Sequence, residues 1–182
     1  MRRFALIALV LAATPAAADN AHQHSPYAGN EARDIKALSP EEIADLNAGR
    51  GMGLALAAEL NGYPGPLHVL ELADQLGLSA DQRSKVQQLL DGMKAEAVPV
   101  GTKLIEQETE LDRLFASRTI TADRLKAMTA SIGETQGALR DTHLKYHLST
   151  ASLLSQHQMQ RYTELRGYTG NASQQHQHRR HH

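Results

Sequence analysis

The histidines are the residues of this chain whose type and spacing could do chemistry. His143 and His147 stand four residues apart in the run His143-Leu144-Lys145-Tyr146-His147. On a helix that spacing puts both imidazoles on one face, one turn apart, where they can share a metal ion. Leucine follows the first histidine, so the run is not the His-Glu-x-x-His of a zinc protease and places no general base. The pair alone supplies two ligands, where a stable site wants three or four. Two surface histidines on an amphipathic helix fit the same spacing. His68, with Glu71 one turn further on, supplies the other candidates. A centre of His68, Glu71, His143 and His147 would suit zinc, copper, nickel or cobalt, and it would weaken as pH falls through about 6.5.

More histidines lie towards the chain ends. His22 and His24 precede the expected folded region, and His176, His178, His181 and His182 fall within the last seven positions. The C-terminal group reads as a metal-buffering tail. An expression tag is the competing reading, and Gln177, Arg179 and Arg180 interrupt it.

Composition limits what can position these groups. The chain has 182 residues, no cysteine, no tryptophan and a formal charge of −1. Met1-Arg2-Arg3, an apolar run from Phe4 to Ala13 and Ala16-Ala17-Ala18 read as a signal peptide over residues 1–18, with cleavage near Ala18 and a periplasmic destination. Arg2 and Arg3 leave with it, which moves the charge to −3. Secretion without cysteine excludes a disulfide scaffold, a thiolate metal site and a cysteine nucleophile. The mild negative charge argues against nucleic acid, and no second apolar run is long enough to embed the chain in a membrane.

The organisation expected is a disordered histidine-containing leader at 19–37, a helical domain at 38–167 and a disordered histidine-rich tail at 168–182. Ser39-Pro40-Glu41-Glu42 opens the first helix, with serine as N-cap, proline at the first position and glutamate at the third. Gly49, Gly51 and Gly53 bend or break it, each costing about 1 kcal/mol against alanine. The segment 49–65 has no functional reading. A short helix is expected from Leu67 to Gln75. From Ser79, the residues Val86, Leu90, Met93, Ala97, Val100, Leu104, Leu111 and Leu114 form a heptad seam, with Pro99 expected to kink or split the helix near Val98. Thr121 caps a second long helix with a seam of Leu125, Met128, Ile132, Thr135, Leu139, Thr142, Tyr146, Ser149 and Leu153. A last helix runs from Ser155 to about Arg166. Two long helices joined by a short turn run antiparallel. The fold class is all-α: a long-helix hairpin with shorter flanking helices, its seams covered by those helices or by a second copy in a homodimer.

Leu78-Ser79-Ala80-Asp81-Gln82 and Leu154-Ser155-Gln156-His157-Gln158 share the pattern Leu-Ser-x-x-Gln, a capping box in each case. Two copies flanking a heptad hairpin in a secreted, cysteine-free chain resemble the Spy/CpxP family, whose signature is Leu-Thr-x-x-Gln, and its metal-handling relatives of the ZraP and CnrX kind. Leu78, Ser79, Gln82, Leu154, Ser155 and Gln158 carry the resemblance, over roughly residues 66–166; serine replaces threonine and keeps the capping hydroxyl. The resemblance implies a cradle-like periplasmic homodimer that is not an enzyme. It would act as an ATP-independent chaperone for unfolded clients, a heavy-metal resistance protein, or a metal sensor docking on a membrane-bound sensor or anti-sigma factor. In the sensing relatives, histidines before the first motif meet a ligand pair near the end of the last long helix. Here Leu72 stands where the partner of His68 would fall. No cofactor is required on this reading, beyond a transition-metal ion if one binds. No glycine-rich phosphate loop, nucleophile elbow or acid pair at a motif spacing points to an enzyme.

Overall fold

The computed structural model describes residues 25–168. Residues 1–18, read from the sequence as a signal peptide, His22 and His24, and the segment bearing His176, His178, His181 and His182 lie outside the described residues. Those described form six α-helices and no strand: α1 (Pro40–Asn47), α2 (Leu56–Glu59), α3 (Pro66–Glu71), α4 (Ala80–Ala116), α5 (Ala122–Leu153) and α6 (Gln156–Leu165). None of these helices is long and apolar enough to cross a membrane. The long helices α4 and α5 pack against each other as an antiparallel hairpin, with α1 and α3 laid on α4.

Local chemistry sets the helix ends. Ser39, Ser79 and Ser155 each form a complete capping box with the residue three further on. The two Leu-Ser-x-x-Gln boxes also meet. Gln82 Nε2 donates to Gln158 Oε1 at 3.0 Å, and Gln158 Nε2 returns a bond to Gln82 Oε1 at 3.1 Å. Gln82 Nε2 also donates to the Leu153 carbonyl at 2.9 Å. This pair of amides ties the start of α4 to the end of α5 and the start of α6. Beneath it lies one core cluster, Val69, Ala73, Leu76, Leu78, Val86, Leu154 and Tyr162. A second cluster of Leu46, Ala97, Leu104, Ile132 and Leu139 joins α1 to the middle of the hairpin. There Gly101 lets α1 approach closely, since a Cβ on it would stand 2.8 Å from the Leu46 carbonyl oxygen.

Several expectations change. α3 stops at Glu71, and turns carry the chain on to Gly77. α4 is not split at Pro99. Pro99 and Ala95, whose carbonyl loses its helical partner, are both exposed, so water can satisfy that oxygen. Residues 25–37, expected to be disordered, carry a 3-10 turn at Asn30–Ala32 and bury Ile35, and the Lys36 N–H donates to Asp112 Oδ1 at 3.3 Å. In α5 the buried stripe begins on the expected seam with Ile132, Thr135, Leu139 and Thr142, then moves to His143, His147 and Thr150. Tyr146 is half-buried and Ser149 is exposed. A straight helix drifts about 20° per heptad, which carries the stripe off a strict seven-residue repeat.

Candidate functional site

The segment between α1 and α3 lies over the histidine pair. α1 ends where Gly49 turns the chain at φ 64°. Residues 50–65 then cross the C-terminal half of α5 before Pro66 opens α3. Gly51 passes over the His143 ring: a Cβ there would lie 3.5 Å from its Nδ1. Gly65 passes closer still, and a Cβ would lie 2.7 Å from His147 Nε2. Only a residue without a side chain leaves room for the second ring. The Tyr63 carbonyl accepts from His147 Nδ1 at 2.7 Å.

Both imidazoles are buried, His143 at 2 % exposure and His147 at 8 %. His143 Nε2 has no hydrogen-bond partner. Burial first, then the neighbouring His147, holds the His143 pKa below its ordinary value, so the ring stays neutral to lower pH. His147 spends its Nδ1–H on the Tyr63 carbonyl, which leaves its Nε2 with the lone pair in the neutral ring.

A third buried polar residue belongs with them. Glu59, the last residue of α2, is 7 % exposed. Its Oε1 accepts from the Tyr162 hydroxyl at 2.5 Å and the Tyr168 hydroxyl at 3.0 Å, and Arg166 Nε lies 3.4 Å away. Its Oε2 has no hydrogen-bond partner and stands 3.9 Å from His147 Nδ1. Burial, and then the bond to Glu59, pushes the Tyr162 hydroxyl pKa up, so that hydroxyl is a permanent donor. Glu59 therefore fastens α2 to α6 and to the residues just after it.

Glu59, His147, His68, Arg166 and Tyr168 line a cavity of about 220 Å³ together with Leu56. His68 Nδ1 pairs with Glu71 Oε2 at 2.8 Å. A carboxylate on one ring nitrogen orients the other as a ligand, so Glu71 supports His68 rather than standing beside it as a fourth ligand. The four-residue centre of His68, Glu71, His143 and His147 is not assembled. Among the described residues no three His, Asp or Glu side chains are grouped so as to hold one ion. His68 and His147 share the cavity, whereas His143 is sealed beneath Gly51 and is not among its lining residues.

The sequence reading missed Glu59, Tyr162, Arg166 and Tyr168. The one local sign was an acid alone inside the apolar run Leu54-Ala55-Leu56-Ala57-Ala58-Glu59-Leu60.

A larger groove of about 540 Å³ opens on the hairpin further along, between α1, the crossing segment, α4 and α5. Leu38, Leu46, Met52, Leu54, Leu104 and Leu139 make it mostly apolar, and Glu42 and Arg140 bring charges of both signs. Close to it in sequence, Leu56, Leu60, Tyr63 and Leu67 are exposed. Comparison with protein-family models, with curated proteins and with solved structures yields no match.

Proposed function

We infer that the protein is a non-enzymatic periplasmic stress protein of the Spy/CpxP type, which holds unfolding clients without ATP. The observation that carries this reading is the open apolar groove on the hairpin, lined by Leu38, Leu46, Met52, Leu54, Leu104 and Leu139. Leu56, Leu60, Tyr63 and Leu67, exposed close to it in sequence, add apolar side chains that a client could meet. The paired Leu-Ser-x-x-Gln boxes supply the resemblance. A homodimer is part of the proposal, because Phe115 and Leu125 leave the hairpin tip apolar and exposed. The test is light scattering from a reduced, aggregating client with the protein lacking residues 1–18. Suppression at several-fold excess supports the reading, and unchanged aggregation overturns it.

A second reading, heavy-metal binding for resistance or for sensing through a membrane-bound partner, is favoured by one observation. His68 and His147 each commit Nδ1 to a protein oxygen and line one cavity with Glu59, whose Oε2 is unpartnered; Gly65 lies over His147 Nε2, so the ring would have to be uncovered before it could bind. Titration with zinc, cobalt, nickel and copper, using protein without either histidine tail, tests it. Affinity unaltered by His147→Ala and Glu59→Gln would place the metal elsewhere.

A further inference from the structure

We propose that residues 49–65 are a hinged lid that gates the His143–His147 pair, and that Glu59 is the latch holding it shut against α6. The pair is buried by this segment rather than by the hairpin alone. Gly51 covers one ring, and Gly65 with the Tyr63 carbonyl covers the other. Hinges stand at both ends. Gly49, Met52 and Gly53 have φ of 64°, 43° and 83°, and Gly62, also at 83°, precedes Pro64-Gly65-Pro66. Met52 is one of only two non-glycine residues at positive φ among those described, a conformation that costs a side-chain-bearing residue roughly 1 kcal/mol or more.

Between the hinges the lid holds itself down weakly. Its one helix, α2, is a single turn; Leu56 and Leu60 point to solvent, the buried apolar side chains there are the small Ala55 and Ala58, and the remaining apolar hold comes from Leu54, half-buried against the middle core cluster, and Pro64, buried at the second hinge. The polar attachment is concentrated at Glu59, through Tyr162, Tyr168 and Arg166. In this closed arrangement His143 Nε2 is buried without a hydrogen-bond partner, and Gly51 lies over the Nδ1 side of the same ring. Lifting the lid would free both imidazoles at the helical spacing that suits one transition-metal ion. The identity of that ligand rests on the second reading above; the lid and its latch do not.

The test reads the lid without any metal. Diethyl pyrocarbonate acylates accessible neutral imidazoles, and mass spectrometry separates the sites. In the full-length protein at pH 7.5, His143 and His147 should react together and at least about a hundredfold more slowly than His157, which is exposed. Tyr162→Phe, or the milder Tyr168→Phe should Tyr162→Phe fail to fold, removes one hydrogen bond to the charged latch. Either should speed both histidines about tenfold while His157 is unchanged. Leu114→Ala, buried near the turn between α4 and α5 and away from the lid, lowers global stability with the latch intact and should leave both rates alone. The proposal is overturned if His143 reacts as fast as His157 in the unaltered protein. It is equally overturned if folded latch variants react at the original rate, or if Leu114→Ala accelerates the pair as much as they do. Cobalt titration of the same variants is a separate readout: a lid that opens with no gain in metal uptake would leave the latch standing and remove the metal reading.

Discussion

At the scale of single residues, glycine positions separate by what surrounds them. Gly65→Ala would drive a Cβ into the buried His147 ring, which has little room to retreat. A loss of about 1–3 kcal/mol is expected, read as a lower urea midpoint. Gly133 sits in the exposed middle of α5 with open space around it, and Gly133→Ala should gain about 0.5–1 kcal/mol in the same assay. His143 makes stability depend on pH. Its pKa is lowered on folding, so below its ordinary value near 6.5 the unfolded chain binds the proton more readily than the folded one. Stability is complete above about pH 6.5 and falls as the solution is acidified towards the lower folded value. Urea midpoints at pH 7.5 and 5.0 should therefore differ more in the unaltered protein than in His143→Leu, which removes this group.

At the scale of elements, the junction of the two capping boxes is the feature to measure. Each glutamine caps its own helix and also bonds the other, so the pair acts as one unit. Gln82→Ala and Gln158→Ala should each cost roughly 1–3 kcal/mol, since each strands partners in a partly buried network. The double variant should cost less than their sum by about 1 kcal/mol, because the second substitution finds the mutual bond already gone. A double-mutant cycle in urea checks this, and strict additivity would mean that the two boxes are independent caps.

At the scale of the whole molecule, the hairpin is a scaffold with a different surface at each level, one rich in ionisable side chains and one mostly apolar. The cavity at Glu59 lies near the junction, and the groove lies over the middle, where α1 and the lid flank the seam. Leu54→Asp places a charge in the half-buried wall of the groove, and Met52→Asp does so at its exposed rim. Both should lower client protection severalfold in the light-scattering assay, with helix content by circular dichroism unchanged for Met52→Asp. Equal protection by a folded Met52→Asp protein would move client binding away from the groove.

The sequence by itself determined where α1, α4, α5 and α6 begin and that the two long helices pair. Ser39, Ser79, Thr121 and Ser155 bond backbone only three residues away, so short-range chemistry suffices. The apolar repeat likewise identified most of the α4 seam, which is buried at Val86, Leu90, Met93, Ala97, Leu104 and Leu114. What only the tertiary structure decided is the setting of the histidines. Four-residue spacing puts His143 and His147 on one face, but whether that face meets solvent depends on which segment crosses it. The glycine-rich stretch, unread in the sequence, is that segment. Glu59 could not be found from its neighbours because its hydroxyl donors lie 103 and 109 residues further along the chain. A buried carboxylate is defined by partners that folding brings to it, and no local periodicity encodes them.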